Sequence, residues 1–318
     1  MFFAWSDGLT LDALALLLAV GLDRMLSEPP ARIHPVVWMG RAISAMERAA
    51  PRAPLPAFLF GCVIVATLVG ASTALAWLTT AALHSVHPLA YVAGSVILLR
   101  TTFTVKGLSS AAKHTRHTLG EGRLDAARTS LRSLVSRDPT TLTASLVAAS
   151  AIESVAENTT DSFIAPWLAF ALFGVPGAVA YRAVNTLDSM IGFRGRYEYL
   201  GKAAARLDDA VNLGPARLSA LLLLVSGALL RLPGRRGWSI MLRDRRITAS
   251  PNAGLTMSAM AGLLGTRLEK PEHYSLGEGL RDPETEDINT AIRVAEVTGL
   301  LGAVAALGLL ALRHAVAG

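Results

Sequence analysis

The amino-acid sequence predicts an all-α, polytopic integral membrane protein with broken or re-entrant helices and cytoplasmic helical loops, and three observations carry that prediction. Over 318 residues the chain is 52% hydrophobic and only 17% charged, against roughly 25% charged in an average soluble domain, and its mean hydropathy is +0.43. The run from Ala57 to Leu83 contains no charged residue and exceeds the roughly 20 residues that cross a bilayer as a helix. Alternating strand patterns are absent, while Ala, Leu and Arg recur at helical spacing through residues 104–135 and 141–157.

The elements follow in order. Residues 9–22 are apolar but carry Asp12 and end at Asp23, so they read as a weak span or an interfacial helix. The first cation, Arg24, follows this run instead of preceding it, so no cleavable secretory signal is expected. Pro51 to Pro56 marks a loop, 57–83 is the strongest span, and 88–103 is its return arm through His84 to His87. Further spans are expected near 217–232 and 297–312, bounded by Arg217, Arg231 and Arg313, whose stems can snorkel. Residues 163–181 contain Pro166, Gly174, Pro176 and Gly177, which favours a broken or re-entrant helix over a plain span. Arg137-Asp138-Pro139 and Pro271 to Pro283 read as loops, with Asp138 to Thr140 a helix start. No repeat or low-complexity linker divides the chain, so residues 1–318 are read as a single membrane-embedded domain.

The net charge of +6 and pI near 9.9 reflect cations in the loops between apolar segments. Eight Lys and Arg lie in Arg100 to Arg137 and six in Arg231 to Arg246, which places both stretches in the cytoplasm by the positive-inside tendency and gives no reason to expect nucleic acid. The single cysteine, Cys62, lies in the strongest apolar run and reads as a small core residue.

Acidic residues flanked by apolar segments are costly and therefore mark candidate sites. Glu153, Glu157 and Asp161 fall on one face of a helix that runs that far. Like charges stacked in this way repel unless a cation such as Mg²⁺ sits among them; a solvated helix face fits the same row equally well. Arg182, Asn185 and Asp188 share a second face, as a phosphate or carboxylate partner set or as a network of buried polar groups. Arg206, Asp208 and Asn212 lie in a polar helix from Gly201, with Asp208 and Asn212 one turn apart. Asn252 sits in a Ser-Pro-Asn-Ala-Gly turn that can present backbone N–H groups to an anion. His84 with His87 and His114 with His117 lack a third ligand, so capping or exposed roles are expected. Neither a Walker A pattern nor Gly-x-Ser-x-Gly occurs.

Read as ordered motifs, Ile152 to Asp161, Ala180 to Gly192 and Ala203 to Asn212 resemble the adenosylcobinamide-phosphate synthase family of cobalamin biosynthesis, the CobD/CbiB family. Three further stretches agree: His34-Pro35-Val36 with Met39-Gly40, Ser136-Arg137-Asp138, and Arg243-Asp244 followed by Ser250 to Gly254 and Met260-Ala261-Gly262. Together they span residues 23–274. The chain departs from the family at Ser27-Glu28-Pro29, where Gly-Asp-Pro is common, at Thr248-Ala249, where His-Pro is common, and at Leu255, where tryptophan is frequent.

The resemblance implies a ligase that spends ATP to join adenosylcobyric acid to (R)-1-aminopropan-2-ol or its O-phosphate. It implies Mg²⁺ held by Glu153, Glu157 and Asp161, of which Glu153 and Glu157 also count among the catalytic residues. It implies phosphate or substrate contacts from Arg182, Asn185, Arg206, Asn212 and Asn252, and proton transfer by Asp188, Asp208 or His34. The expected setting is a multi-pass protein of the cytoplasmic (inner) membrane with its active site toward the cytoplasm, in contact with lipid and with other corrinoid-pathway membrane enzymes. Two rival readings are a non-enzymatic corrinoid-binding assembly protein and an Mg²⁺-dependent intramembrane prenyl or phosphatidyl transferase. The spaced aspartate-rich signatures of the second are not intact in this chain.

Overall fold

The computed structural model describes residues 5–26, 30–32, 34–135, 137–193 and 195–317. Ser27-Glu28-Pro29 and Ser136 lie outside them. Thirteen α-helices run in order among the described residues. They are α1 Trp5–Met25, α2 Pro35–Glu47, α3 Pro54–Val86, α4 Pro88–Arg100, α5 Lys106–Gly120, α6 Leu124–Leu131 and α7 Ala144–Thr159. After a π-helical turn at Thr160–Ile164 come α8 Ala165–Ile191, α9 Lys202–Val211, α10 Leu213–Leu229, α11 Gly234–Asp244, α12 Ala253–Leu264 and α13 Thr285–Ala317. A short antiparallel hairpin, β1 Leu268–Lys270 with β2 Tyr274–Leu276, precedes α13. This hairpin corrects the expectation of no strands and of an unstructured loop from Pro271 to Pro283. Three-residue strands are too short to show an alternating pattern.

Three helical stretches among the described residues are long and apolar enough to cross a membrane: Pro54–Val86, Ala144–Ile191 and Thr285–Val316. Lys202–Val211 with Leu213–Leu229 makes a fourth if that pair is one broken span. The chain is therefore an all-α polytopic membrane protein. α4 has 13 residues, about 20 Å of helix, and does not by itself cross a core of about 30 Å. The break expected within 163–181 falls at Gly174, where φ is 67° and ψ −163°, two residues before Pro176. That backbone region is essentially closed to residues with a Cβ.

The chain divides into two compact units. The first contains Met1–Thr104, Ala165–Val211 and Ala303–Gly318. In it α3 packs on α4 and α8, α1 on α4, and α9 on α3 and α8. Ile43, Ile64, Leu99, Trp167, Phe170 and Leu187 are fully buried. Asp12, the acid that weakened the first apolar run, accepts hydrogen bonds from the Tyr91 hydroxyl and Arg313 Nη2, each at 2.5 Å. Burying a charge on an apolar helix requires such partners. Arg100 Nη1 donates to the Leu22 carbonyl at 2.9 Å in the last turn of α1, beside the Leu26 N–H that the same oxygen accepts at 2.8 Å.

The second unit contains Val105–Ile164 and Asn212–Gly302. Here α11 packs on α12, α10 on α12, and α7 on α12 and β1. The α11–α12 crossing is glycine-lined: a Cβ on Gly262 would lie 2.7 Å from Gly237 Cα and 2.8 Å from the Arg236 carbonyl oxygen. Asp244 closes the far end of α11. It accepts from Arg243 Nε at 2.6 Å and from the Gly277 N–H at 2.7 Å.

Candidate functional site

The acid row lies in the second unit. Thr143 starts α7 by accepting the Leu146 N–H at 3.3 Å, and the small residues that follow let the helix bury its length, with Glu153 only 5% exposed. Arg137 Nη2 lies 3.4 Å from Glu153 Oε2 and also donates to Ser150 Oγ, three residues earlier on the same helix. Glu153 Oε1 is buried and accepts no hydrogen bond. Lys270 and Tyr274, from the two strands of the hairpin, bring a cation and a phenol to the same carboxylate. Tyr274 also faces Glu157, and its hydroxyl lies 3.7 Å from Met257 Sδ. Burial, then the charges of Glu153 and Glu157, push the Tyr274 phenol well above its ordinary pKa. It is a proton-bearing donor throughout the working pH range.

The row does not continue as its spacing implied. α7 ends at Thr159, and Asp161 sits in the π turn, whose extra residue per turn carries it off the four-residue line. Glu157 is exposed and Asp161 half-buried. Among the described residues no three His, Cys, Asp or Glu side chains gather closely enough to hold a metal ion. What the helix holds together is a pair one turn apart, Glu153 and Glu157.

In the first unit His34 and Arg182 line one cavity of about 200 Å³ with Val37, Thr101, Phe103 and Thr104. His34 starts α2, its Nδ1 accepting the Val36 N–H at 3.2 Å, with Pro35 at the first helical position. Because Nδ1 accepts, the neutral ring carries its proton on Nε2 and offers a donor. That suits a phosphate or carbonyl oxygen, not an ammonium proton. Arg182 Nη1 donates to Asn185 Oδ1 at 3.2 Å, as their three-residue spacing predicts. Asp188, half-buried, follows on α8, and its carboxylate occupies the space that a Cβ on Gly192 would take. Gly201 is needed in the same way, because a Cβ there would collide with the Ile191 carbonyl.

Arg206 is exposed and Asp208 half-buried on α9. α9 ends at Val211, so the polar helix stops one residue short of Asn212, which is 3% exposed and stands at the N-cap position of α10. Asn252, 6% exposed, holds the corresponding position before α12. Its Oδ1 lies 3.4 Å from Arg217 Nη1, and its own N–H donates to Ser250 Oγ at 3.2 Å. Gly254 is required beside it, since a Cβ would meet the Arg245 carbonyl oxygen at 2.5 Å. The side chains that sequence reasoning missed are Arg137, Lys270 and Tyr274. Arg137 stood within a family-like motif; the hairpin residues carried no signal.

Comparison with known proteins agrees with the motifs. A family profile described as "CobD/Cbib protein" matches residues 16–302. A Dehalococcoides mccartyi protein named "Cobalamin biosynthesis protein CobD" is 41% identical over 298 residues, 93% of this chain and 97% of that protein. "Probable cobalamin biosynthesis protein CobD" of Methanothermobacter thermautotrophicus is 38% identical over 296 residues, again 93% and 97%. "Cobalamin biosynthesis protein CbiB" of Salmonella typhimurium is 36% identical over 300 residues, 91% of this chain and 94% of that protein. No solved structure matches the chain. With a profile match over most of its length and relatives covered almost end to end, the chain belongs to the CobD/CbiB family.

Proposed function

We propose that the protein acts in cobalamin biosynthesis as an ATP-dependent ligase, joining a propionate carboxylate of adenosylcobyric acid to the amine of (R)-1-aminopropan-2-ol or its O-phosphate. The observation that carries this reading is the family match over residues 16–302, with relatives named for cobalamin biosynthesis. The arginine-rich loops support a multi-pass setting in the cytoplasmic membrane with the reacting groups toward the cytoplasm.

A carboxylate is a poor acyl donor. In this reading its oxygen takes the γ-phosphoryl group of ATP and ADP leaves. The amine nitrogen then attacks the acyl carbon, phosphate departs, and the new amide loses one proton. Arg182 and Arg206 neutralise phosphate charge, with Asn185 orienting the Arg182 guanidinium. His34 Nε2–H donates to a phosphate or carbonyl oxygen, which leaves proton uptake to the carboxylates Asp188 or Asp208. Asn212 and Asn252 supply amide groups for the substrate's polar rim. The donor set suits Mg²⁺ in its chemistry: hard carboxylate oxygens, with Glu153 Oε1 buried and lacking a hydrogen bond. Glu153 and Glu157 would hold the ion, without Asp161, which the π turn carries off their line. One or two protein carboxylates suffice, since Mg²⁺ usually fills its shell with phosphate and water. When bound, it supplies Lewis-acid neutralisation of the nucleotide phosphates.

The test is mass-spectrometric detection of the amide from purified protein, adenosylcobyric acid, ATP and Mg²⁺, with aminopropanol or its phosphate as acceptor. Product that requires ATP is expected. Ligand binding with no ATP consumed, for either acceptor, would replace the ligase with a corrinoid-carrying assembly protein.

A further inference from the structure

The segment Arg231–Arg246 takes no part in the chemistry above, and its surface points elsewhere. One face of α11 is buried: Gly237, Ile240, Met241 and Asp244 pack inward, with Gly237 against the side chains of Leu224 and Leu263. The opposite face carries Trp238 and Leu242, 47% and 45% exposed, followed by Ile247 at 47%. Spacings of three and four residues align Arg235, Trp238 and Leu242 along one stripe, and Arg245 and Arg246 follow just past the end of the helix. Among the described residues, Arg231, Arg235, Arg245 and Arg246 make no ion pair. Asp244, the one acid in the segment, is buried and taken by Arg243 at 2.6 Å. α10, which packs on α11, also exposes Leu221, Val225 and Leu229 at four-residue spacing.

We propose that this face of α11 seats against anionic phospholipid, with Arg235, Arg245 and Arg246 pairing with headgroup phosphates and Trp238 and Leu242 entering the boundary between headgroups and acyl chains. Unpaired arginines around an exposed tryptophan and leucines are the chemistry of an interfacial helix. Charge complementarity sets the sign of the lipid. An acidic protein partner would match the arginines but gives no reason for the exposed Trp238 and Leu242 beside them. The inference is independent of the ligase reading.

Native mass spectrometry of the purified full-length protein in detergent tests it, using phosphatidylglycerol, phosphatidylcholine and soluble glycerol 1-phosphate as probes. Wild type is expected to retain phosphatidylglycerol over phosphatidylcholine, and glycerol 1-phosphate is expected not to compete. Arg235→Gln/Arg245→Gln/Arg246→Gln is expected to weaken phosphatidylglycerol retention about a hundredfold, near fivefold per charge, with melting temperature unchanged. If the triple variant does not fold, each single variant should still lose about fivefold. Trp238→Ser should weaken retention as well, which separates a lipid face from a bare phosphate site. Equal retention of both lipids, an unchanged arginine variant, an unchanged Trp238→Ser, or full competition by glycerol 1-phosphate would each overturn the proposal.

Discussion

Arg137 Nη2 and Glu153 Oε2 stand 3.4 Å apart with the guanidinium side chain 21% exposed and the carboxylate 7%. Removing one partner of a buried pair leaves an uncompensated charge, so Arg137→Ala should cost about 3–5 kcal/mol. Glu153→Gln, which removes the charge and keeps the shape, should cost less. The double variant Arg137→Met/Glu153→Gln should recover most of the loss. Thermal denaturation in detergent reads all three, and an Arg137→Ala protein melting with wild type would refute the pairing.

Gly174 makes the break in α8 with φ of 67°. Gly174→Ala should destabilise by about 1–3 kcal/mol from backbone strain alone. Gly308→Ala, on a helix where nothing lies within 4 Å of the added methyl, should be neutral or slightly stabilising. Chemical denaturation of the two variants side by side checks the contrast, and equal effects would remove the special role of the break.

At the α11–α12 crossing the limit is space, not φ. Gly262→Ala places a methyl 2.7 Å from Gly237 Cα and 3.0 Å from Ile240 Cβ, so the helices must part at a cost of about 1–3 kcal/mol. Gly299→Ala meets nothing nearer than 3.7 Å and should melt with wild type. A Gly262→Ala melt indistinguishable from Gly299→Ala would show that the crossing is not close-packed.

Asp244 supplies a pH test. Burial raises its pKa, but the hydrogen bonds from Arg243 and the Gly277 N–H, with the Arg243 charge, outweigh burial and hold it below the ordinary aspartate value of 3.8. A group depressed in the folded state stabilises above its unfolded pKa and loses that contribution as pH falls through the folded one. Wild type should therefore lose stability faster than Asp244→Asn as pH drops below about 4. Parallel curves over that range would contradict the depressed pKa.

Much of this architecture was legible because apolar runs and proline and glycine punctuation are local. Ala57 to Leu83 predicted the long α3, and Gly174 with Pro176 predicted the break. The motifs that resemble the family pointed to His34 and Arg182, which the fold brings to one cavity. The π turn was not legible, because an α-helix that gains one residue keeps the same composition; Asp161 was therefore counted on a line it leaves. Tyr274 and Lys270 reach Glu153 through a hairpin of three-residue strands, and such a contact depends on tertiary packing that no spacing rule encodes. The helix boundary at Val211 has a local cause in Pro215, which lacks the N–H that the Val211 carbonyl would accept and whose ring crowds that carbonyl.

The dipeptide His-Pro opens a helix twice. His87 starts α4 as His34 starts α2, its Nδ1 accepting the Leu89 N–H at 3.1 Å with Pro88 at the first helical position. The chain thus carries its own reference imidazole. Both rings should show the nitrogen-15 shifts of an Nε2–H tautomer at neutral pH, but His34 alone lines the cavity beside Arg182. Whatever the spectrum of His34 does on addition of a phosphorylated ligand, beyond what His87 does, isolates chemistry from capping within one molecule.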